Sequence, residues 1–298
     1  MKSNYRYIVK AFMAMAVIAG TTSCDDFLDR EPMSSISPET YYSTAAQLEA
    51  NLNDEYPNVL PSFGQWTYGI FGEDKGTDNQ IEVNANDRYT QDRWKVPHSE
   101  SDNWKFERIY RINFFLSEAL PKFGEDMSGS QNTISGSVAT IKHYIGEMYF
   151  LRAYEYFKKL QLFGDFPIID QPLADEMEAL REASKRFPRN EVARFIISDL
   201  DKAYAYMSDV DMATTRINKD AAMLVKSRVA LFEATWLQNF KGTAFVPGGE
   251  GWPGASLHNN YQYPSGNLDN EVKYFLEQAV EASKLVADKY KGKIYNIV

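Results

Sequence analysis

The central segment of the chain, residues 141–168, has the apolar pattern of a long helix. Apolar side chains recur at steps of three and four, which places most of them on one broad helical face. Gly164 provides the left-handed conformation that ends helices, and Pro167 prevents the helix from restarting. Arg152 falls within the apolar stripe, so we predict an ion pair with a carboxylate of a neighbouring helix rather than contact with a ligand. Asn113, on the apolar face of the preceding helix, is interpreted as a hydrogen-bonded structural amide.

The same periodicity predicts further helices on both sides of this segment. They span residues 37–53, 106–120, 190–207, 218–238 and 270–290. Ser37 followed by Pro38 predicts the start of the first, and Asn190 is predicted to be the N-cap of the third. The apolar face of the last helix is predicted to contain Val272, Phe275, Leu276, Ala279, Val280 and Val286.

Two long segments, residues 57–103 and 241–267, lack this periodicity and are rich in Gly, Pro, Asn and aromatic residues. Irregular segments of this length in a compact domain are usually functional. From residue 141 onward the pattern alternates helix, loop, helix, and no β-sheet pattern competes with it. The predicted fold class is therefore all-α, with degenerate tetratricopeptide-like repeats and two long irregular inserts that carry the binding surface. No strict 34-residue copy can be aligned.

Large aromatic rings are concentrated in the two inserts. Trp66, Trp94 and Trp104 lie at or near the first, and Trp252 lies in the second with Phe245, Tyr261 and Tyr263. Such rings either fill local cores or form surface platforms on which sugars stack, while Asp, Asn and Arg bond the hydroxyls. Both alternatives stay open for each ring. The candidate glycan-binding residues are Trp94, Trp66, Arg88, Trp252, Asp87 and Asn103.

The start of the chain has the pattern of a secretory signal, predicted over residues 1–23. A positively charged stretch precedes a ten-residue apolar core, which is too short to span a bilayer. Cys24, the only cysteine of the sequence, follows small residues, as the acylated cysteine of a bacterial lipobox does. Thr21 departs from that motif, which usually has Leu at this position. We predict lipid attachment at Cys24; the alternative is an ordinary signal that is cleaved nearby and leaves a free thiol.

The charge and the missing motifs exclude several classes of function. The net charge is −9, and residues 24–298 hold 29 basic and 41 acidic residues, a net charge of −12. This acidic balance argues against nucleic acid and anionic membrane as direct partners. The sequence contains no HExxH, GxSxG, P-loop or paired Cys/His motif, so we expect no enzymatic activity and no cofactor. Asp74 and Asp78 lie in an oxygen-rich segment that calcium could use, but the spacing is not that of an EF-hand, and solvated loop acids are the favoured explanation.

Three segments together resemble the RagB/SusD family, the surface glycan-binding lipoproteins of Bacteroidetes. They are GEMYFLRAYEYFKKLQLFGDFPII at residues 146–169, YRINFFL at 110–116 and CDDFLDREP at 24–32. The resemblance implies a helical repeat scaffold over residues 24–298, a lipid anchor at the cell surface of the outer membrane, and oligosaccharide as ligand. It also implies a SusC-like TonB-dependent transporter as partner. Members are usually about twice as long, so the sequence is expected to be the N-terminal portion of such a protein.

Two other functions stay open at this point. The chain could be a helical scaffold that only docks proteins, or a member of the same family that captures peptides. A glycan binder should expose two or three rings in one polar groove, whereas a scaffold should have a smooth concave helical face. A peptide binder should have a deeper pocket.

Overall fold

The computed structural model describes residues 41–61, 80, 103–124, 126–208, 212–213 and 215–293. The chain divides into two units, Met1–Tyr41 and Tyr42–Val298. All the helices given below belong to the second unit.

The described residues form seven α-helices. These are α1 Ala45–Val59, α2 Glu107–Phe123, α3 Val138–Phe163, α4 Met177–Ala183, α5 Arg189–Tyr206, α6 Lys219–Asn239 and α7 Leu268–Tyr290. A 3-10 turn covers Pro253–Ser256. Pairing between extended segments is limited to two isolated bridges, Thr44 with Ser135 and Phe166 with Phe187, so these residues contain no β-sheet. The predicted all-α fold is confirmed.

Apart from the short α4, helices that follow one another along the chain pack against one another, as in a helical repeat. α3 contacts α1, α2 and α5, α5 contacts α6, and α6 contacts α7. The α3–α5 contact is close because Gly146 has no side chain. A Cβ at Gly146 would lie 2.8 Å from the backbone nitrogen of Met207 and 2.9 Å from the carbonyl oxygen of Ala203. None of the described helices is both long enough and apolar enough to span a bilayer.

The first of these helices begins and ends later than the predicted span of residues 37–53. α1 begins after Thr44, which forms a capping box with Gln47, and it continues to Val59 rather than ending near Asn53. Pro57 is tolerated in the last turn because it removes only one backbone donor, while the extra turn buries Val59 completely. The predicted start at Ser37 lies outside the described residues.

Other helix ends are determined either by neighbouring residues in the sequence or by contacts with distant residues. Gly164, with a φ of +67°, ends α3, and the Asn218 side chain accepts a hydrogen bond from the Ala221 N–H at the start of α6. The prediction that Asn190 is an N-cap is wrong. Asn190 lies inside the first turn of α5 and is fully buried, because its amide bonds Tyr261 and Glu271, which are distant in sequence.

The predicted apolar face of the last helix is only partly buried. Leu276 is 38% exposed and Val280 is 61% exposed. α7 packs mainly on α6, and a single neighbouring helix covers only a narrow seam. That seam contains Phe275, Ala279, Ala282 and Val286.

Candidate functional site: a cavity beside the second insert

A cavity of about 660 Å³ lies between the end of α3, the start of α5 and the second insert. We call it the insert cavity. The charged and aromatic residues that line it include Asp165, Arg186, Arg189, Trp236, Phe245 and Trp252. Its volume falls within the roughly 300–1,000 Å³ range of small-molecule sites.

Asp165 ties the second insert to the helical scaffold. Gly164 ends α3, so the next residue can turn toward the insert. Asp165 Oδ1 accepts a hydrogen bond from the backbone N–H of Arg189 at 2.9 Å, and Oδ2 accepts one from Trp252 Nε1 at 2.7 Å. Burial raises the pKa of Asp165, while these hydrogen bonds and the nearby arginines oppose the rise. Both carboxylate oxygens are therefore used for structure.

A buried ion pair lies against the cavity wall. Arg189 donates from Nε and Nη2 to the Glu233 carboxylate at distances of 2.9–3.2 Å, and both side chains are almost entirely buried. The Arg189 guanidinium also stacks on Trp236, with Cζ 4.1 Å from the ring centroid. Burial raises the pKa of Glu233 even though Arg189 opposes the rise. This pair fixes the position of the Trp236 ring relative to α5.

The second insert is folded and attached to the helices, although it has no periodic pattern. Tyr263 donates to the carbonyl oxygen of Pro247 at 2.6 Å, and Asn190 donates to the Tyr261 hydroxyl at 2.8 Å. His258 Nε2 lies 2.8 Å from the carbonyl oxygen of Arg186. Internal bonds of this kind hold an irregular loop in one conformation, which a binding site on a loop needs.

The mouth of the cavity is apolar and aromatic. Phe245 is 61% exposed, Leu257 is 53% exposed and Leu162 is 58% exposed. Trp236 is only half-buried, and its Nε1 donates to the carbonyl oxygen of Phe245 at 3.1 Å. The exposed side chain of Arg186 lies at the edge, with Cζ 4.5 Å from the centroid of the Trp104 ring. The cavity therefore offers ring faces for stacking and a guanidinium for hydrogen bonding.

Trp252 does not form a surface platform, and this prediction is corrected by the structure. Its ring is 5% exposed, lies parallel to His258 with centroids 6.0 Å apart, and packs on Tyr261. The hydrogen bond from its indole nitrogen to Asp165 holds it in this local core. Only a small part of the ring contributes to the cavity lining.

Asn103, the one other predicted binding residue in the described part of the chain, does not line the insert cavity. Asn103 is exposed, and its carbonyl oxygen accepts from Lys159 Nζ at 2.8 Å. The other predicted residues lie outside the described part of the chain: Cys24, Trp66, Asp74, Asp78, Asp87, Arg88 and Trp94. Within the part that is described, no group of three or more His, Cys, Asp or Glu side chains is placed to hold a metal ion.

Arg152 and Asn113 form one buried network away from the cavity. Arg152 binds Asp199 of α5 through two hydrogen bonds, Nε to Oδ2 at 2.6 Å and Nη2 to Oδ1 at 2.8 Å. Its Nη1 donates to Asn113 Oδ1 at 2.9 Å and to the carbonyl oxygen of Asp170 at 3.0 Å. Asn113 Nδ2 donates to the carbonyl oxygen of Ile169 at 2.9 Å. The network joins α2, α3 and α5 to the extended segment that follows Gly164.

Sequence reasoning missed the polar residues of the cavity. Asp165, Arg186 and Arg189 were not singled out, nor was Glu233, which pairs with Arg189 behind the cavity wall, and Trp236 was assigned to the core face of its helix. One signal was available, because Glu233 lies three and four residues from Ala230 and Leu237 and therefore falls on the apolar face of α6. A carboxylate at such a position requires a partner, although the pattern does not identify which.

The fold and the cavity together define the class of this protein: an all-α helical repeat with a built cavity beside an ordered insert. Comparison with known proteins identifies the family. The SusD-like family model described as "Starch-binding associating with outer membrane" matches residues 26–231. The chain belongs to this SusD-like family.

Proteins with the same designation are known from several bacteria. SusD-like protein P2 of Formosa agariphila is 25% identical over 253 residues, which cover 81% of this chain and 46% of that protein. SusD-like protein P25 of the same organism is 25% identical over 233 residues, covering 72% and 41%. A solved SusD-like protein from Bacteroides fragilis matches with a TM-score of 0.49 at 22% identity, covering 71% of this chain and 39% of its own. The chain spans less than half the length of the curated relatives it matches.

Proposed function

We propose that this protein is a lipid-anchored protein of the outer membrane that binds oligosaccharide at the cell surface. It then delivers the sugar to a SusC-like TonB-dependent transporter. The insert cavity is the observation that carries the binding step. The family description, with its reference to starch binding and the outer membrane, supports the ligand class and the location.

The chemistry of the cavity suits a sugar better than a purely apolar ligand. Sugars present C–H faces that stack on aromatic rings, and hydroxyls that need hydrogen-bonding partners. Phe245 and the half-buried Trp236 offer ring surface, and Arg186 and Gln161 offer polar groups at the same cavity. Since the insert is already bonded to the scaffold through Asp165 and Asn190, little ordering entropy is lost when a ligand binds.

The proposal includes no chemical step. Two carboxylates lie at or beside the cavity. Asp165 accepts hydrogen bonds from Trp252 and the Arg189 backbone, and Glu233 accepts them from the Arg189 side chain, so neither is available as a general acid or base. We propose binding without turnover. Calcium, if it is bound, would involve Asp74 and Asp78 and stays a prediction.

A glycan array probed with the purified full chain tests this function. We expect binding to at least one class of oligosaccharide, followed by a calorimetric Kd on the order of 10–1,000 μM, as is common for stacking supported by few hydrogen bonds. The exposed Leu162 and Leu257 beside Phe245 favour one alternative, the capture of an apolar peptide segment. If the protein binds no sugar on the array but does bind a peptide library, that alternative would replace the proposed function.

Cys24 provides a separate test of the lipid anchor. We predict that Cys24→Ser gives a protein that is released into the soluble fraction or keeps its signal segment, because acylation at this position would be lost. Detergent-phase partitioning and intact mass measure the outcome, and the matched control is Ser23→Ala, which changes a neighbouring residue without removing the thiol. A Cys24→Ser protein that stays in the detergent phase with residues 1–23 removed would contradict the anchor.

Co-purification of the wild-type protein with an outer-membrane transporter tests the partner.

A further inference from the structure

Arg186 differs from the other charged groups that line the insert cavity. Arg189 is neutralised by Glu233, and both oxygens of Asp165 already accept hydrogen bonds. Arg186 forms no ion pair with any described residue, and its side chain is exposed. The cavity thus has a single guanidinium whose donors are not engaged by a carboxylate of the described residues.

The guanidinium is nevertheless held in position. Its Cζ lies 4.5 Å from the centroid of Trp104, and this ring is itself fixed edge-on by Phe163 and Phe166, each with a centroid distance of 4.9 Å. Stacking of this kind occupies the face of the guanidinium and leaves the in-plane N–H donors free. Free donors in a fixed plane match the two oxygens of a carboxylate or sulfate group, which arginine binds in bidentate fashion.

Arg186 also lines a second cavity. This cavity, of about 490 Å³, lies beside Ile168, Leu173, Ala183 and Phe187. The two cavities share Arg186, and the adjacent residues Leu257 and His258 line one each. A ligand of several linked units could therefore occupy both, with the guanidinium at the position between them.

We infer that the two cavities together bind an acidic oligosaccharide, a uronate or a sulfated sugar, with Arg186 binding the carboxylate or sulfate group. This inference rests on the proposed function and specifies its ligand class. The second cavity is mainly apolar, so it suits the C–H face of a sugar ring. Arg186 is the cation that lines both cavities and has no ion-pair partner among the described residues, so the charged substituent is expected to bind there. Lys185, which also lines the second cavity, is already paired with Glu182.

The test compares acidic sugars with their neutral counterparts. The array carries uronate oligosaccharides beside their methyl esters and sulfated oligosaccharides beside the desulfated forms, together with neutral glucans. We expect the strongest acidic ligand to bind about tenfold or more tightly than its neutral counterpart. Hydrogen bonds to a charged group contribute roughly 1.5–3 kcal/mol, and 1.4 kcal/mol corresponds to a factor of ten.

Calorimetry with that acidic ligand then isolates Arg186. Arg186→Gln should weaken its binding about tenfold or more and change binding of the neutral counterpart less than twofold. Arg186→Lys, which keeps the charge but loses the planar donors, should fall between. Arg228→Gln is the matched control, because it removes an exposed arginine of α6 that lines neither cavity. Circular dichroism checks that each variant is folded.

The possible outcomes separate the inference from the proposed function. Equal binding of acidic and neutral counterparts, or equal effects of Arg186→Gln and Arg228→Gln, overturns the inference. Binding to neutral glucans alone overturns it as well and leaves the proposed function standing. Failure to bind any oligosaccharide overturns both.

Discussion

Replacing Arg152 by alanine should lower the free energy of unfolding by about 3–5 kcal/mol, the usual cost of leaving a buried charge without its partner. Asp199 is completely buried and receives two hydrogen bonds from Arg152. The substitution also leaves Asn113 Oδ1 and the carbonyl oxygen of Asp170 without this donor. Lys202 Nζ, 3.7 Å from Asp199 Oδ1, is too exposed to replace the guanidinium.

Urea denaturation of the variant and the wild type measures this loss. Arg228→Ala, an exposed arginine on α6, is the matched control and should change stability by less than about 0.5 kcal/mol. Combining Arg152→Met with Asp199→Leu removes both charges and should recover much of the loss, because a buried pair is often replaceable by apolar residues of similar volume. A loss below about 0.5 kcal/mol for Arg152→Ala would show that the network contributes little.

The second large effect is expected at Arg189. Arg189→Met should destabilise the fold by about 3–5 kcal/mol at neutral pH, because Glu233 is fully buried and would lose both of its donors. The methionine keeps most of the volume against Trp236, so the loss reports the charge rather than a void. The double variant Arg189→Met with Glu233→Met is the control and should be more stable than the single one.

This second loss should depend on pH in a known direction. Burial already raises the pKa of Glu233, and removing Arg189 raises it further. The folded state of the variant then binds more protons than the unfolded state, so stability falls as pH increases. Denaturation at pH 7 and at pH 5 should therefore show a smaller deficit at pH 5. A deficit that is the same at both values would mean that the pKa of Glu233 is not raised in the variant, as expected for a hydrated carboxylate.

The sequence predicted helix boundaries correctly where neighbouring residues determine them. Gly164 ends α3 because its backbone adopts a positive φ, and Asn218 caps α6 through a bond three residues away. The position of Arg152 required a carboxylate, and the helical wheel was sufficient to infer that requirement. The identity of the carboxylate, Asp199, depends on how α3 and α5 pack, which periodicity does not encode.

The failures occur where contacts between distant residues decide the outcome. Asn190 has the local pattern of an N-cap, but its amide is used by Tyr261 and Glu271, more than seventy residues away. Trp252 has the polar surroundings of a surface platform, but Asp165 and Tyr261 cover it. The cavity residues come from four separate segments. No single stretch of sequence therefore indicated that they meet.

The ordering of the second insert connects the fold to the proposed function. Arg194 bonds both oxygens of Glu271 at 2.7 and 2.9 Å, and the Ser265 N–H donates to the same carboxylate. Burial raises the pKa of Glu271, but these hydrogen bonds outweigh it and lower the pKa overall. The end of the insert is thereby attached to α5 and α7. A rigid attachment of this kind keeps Phe245 and Trp236 in place before a ligand arrives.

Titration calorimetry of the Phe245→Ala variant with the best oligosaccharide from the array tests the central claim most directly. Phe245 is the most exposed ring of the insert cavity, and truncating a stacking ring typically costs about 1–3 kcal/mol of binding free energy. Leu231→Ala, which removes an exposed apolar side chain of α6 outside the cavity, is the matched control. We predict that Phe245→Ala weakens binding about fivefold to a hundredfold with unchanged helical circular dichroism, while Leu231→Ala binds as the wild type does. Equal affinity of the folded Phe245→Ala variant and the wild type would contradict the assignment of the insert cavity as the oligosaccharide site.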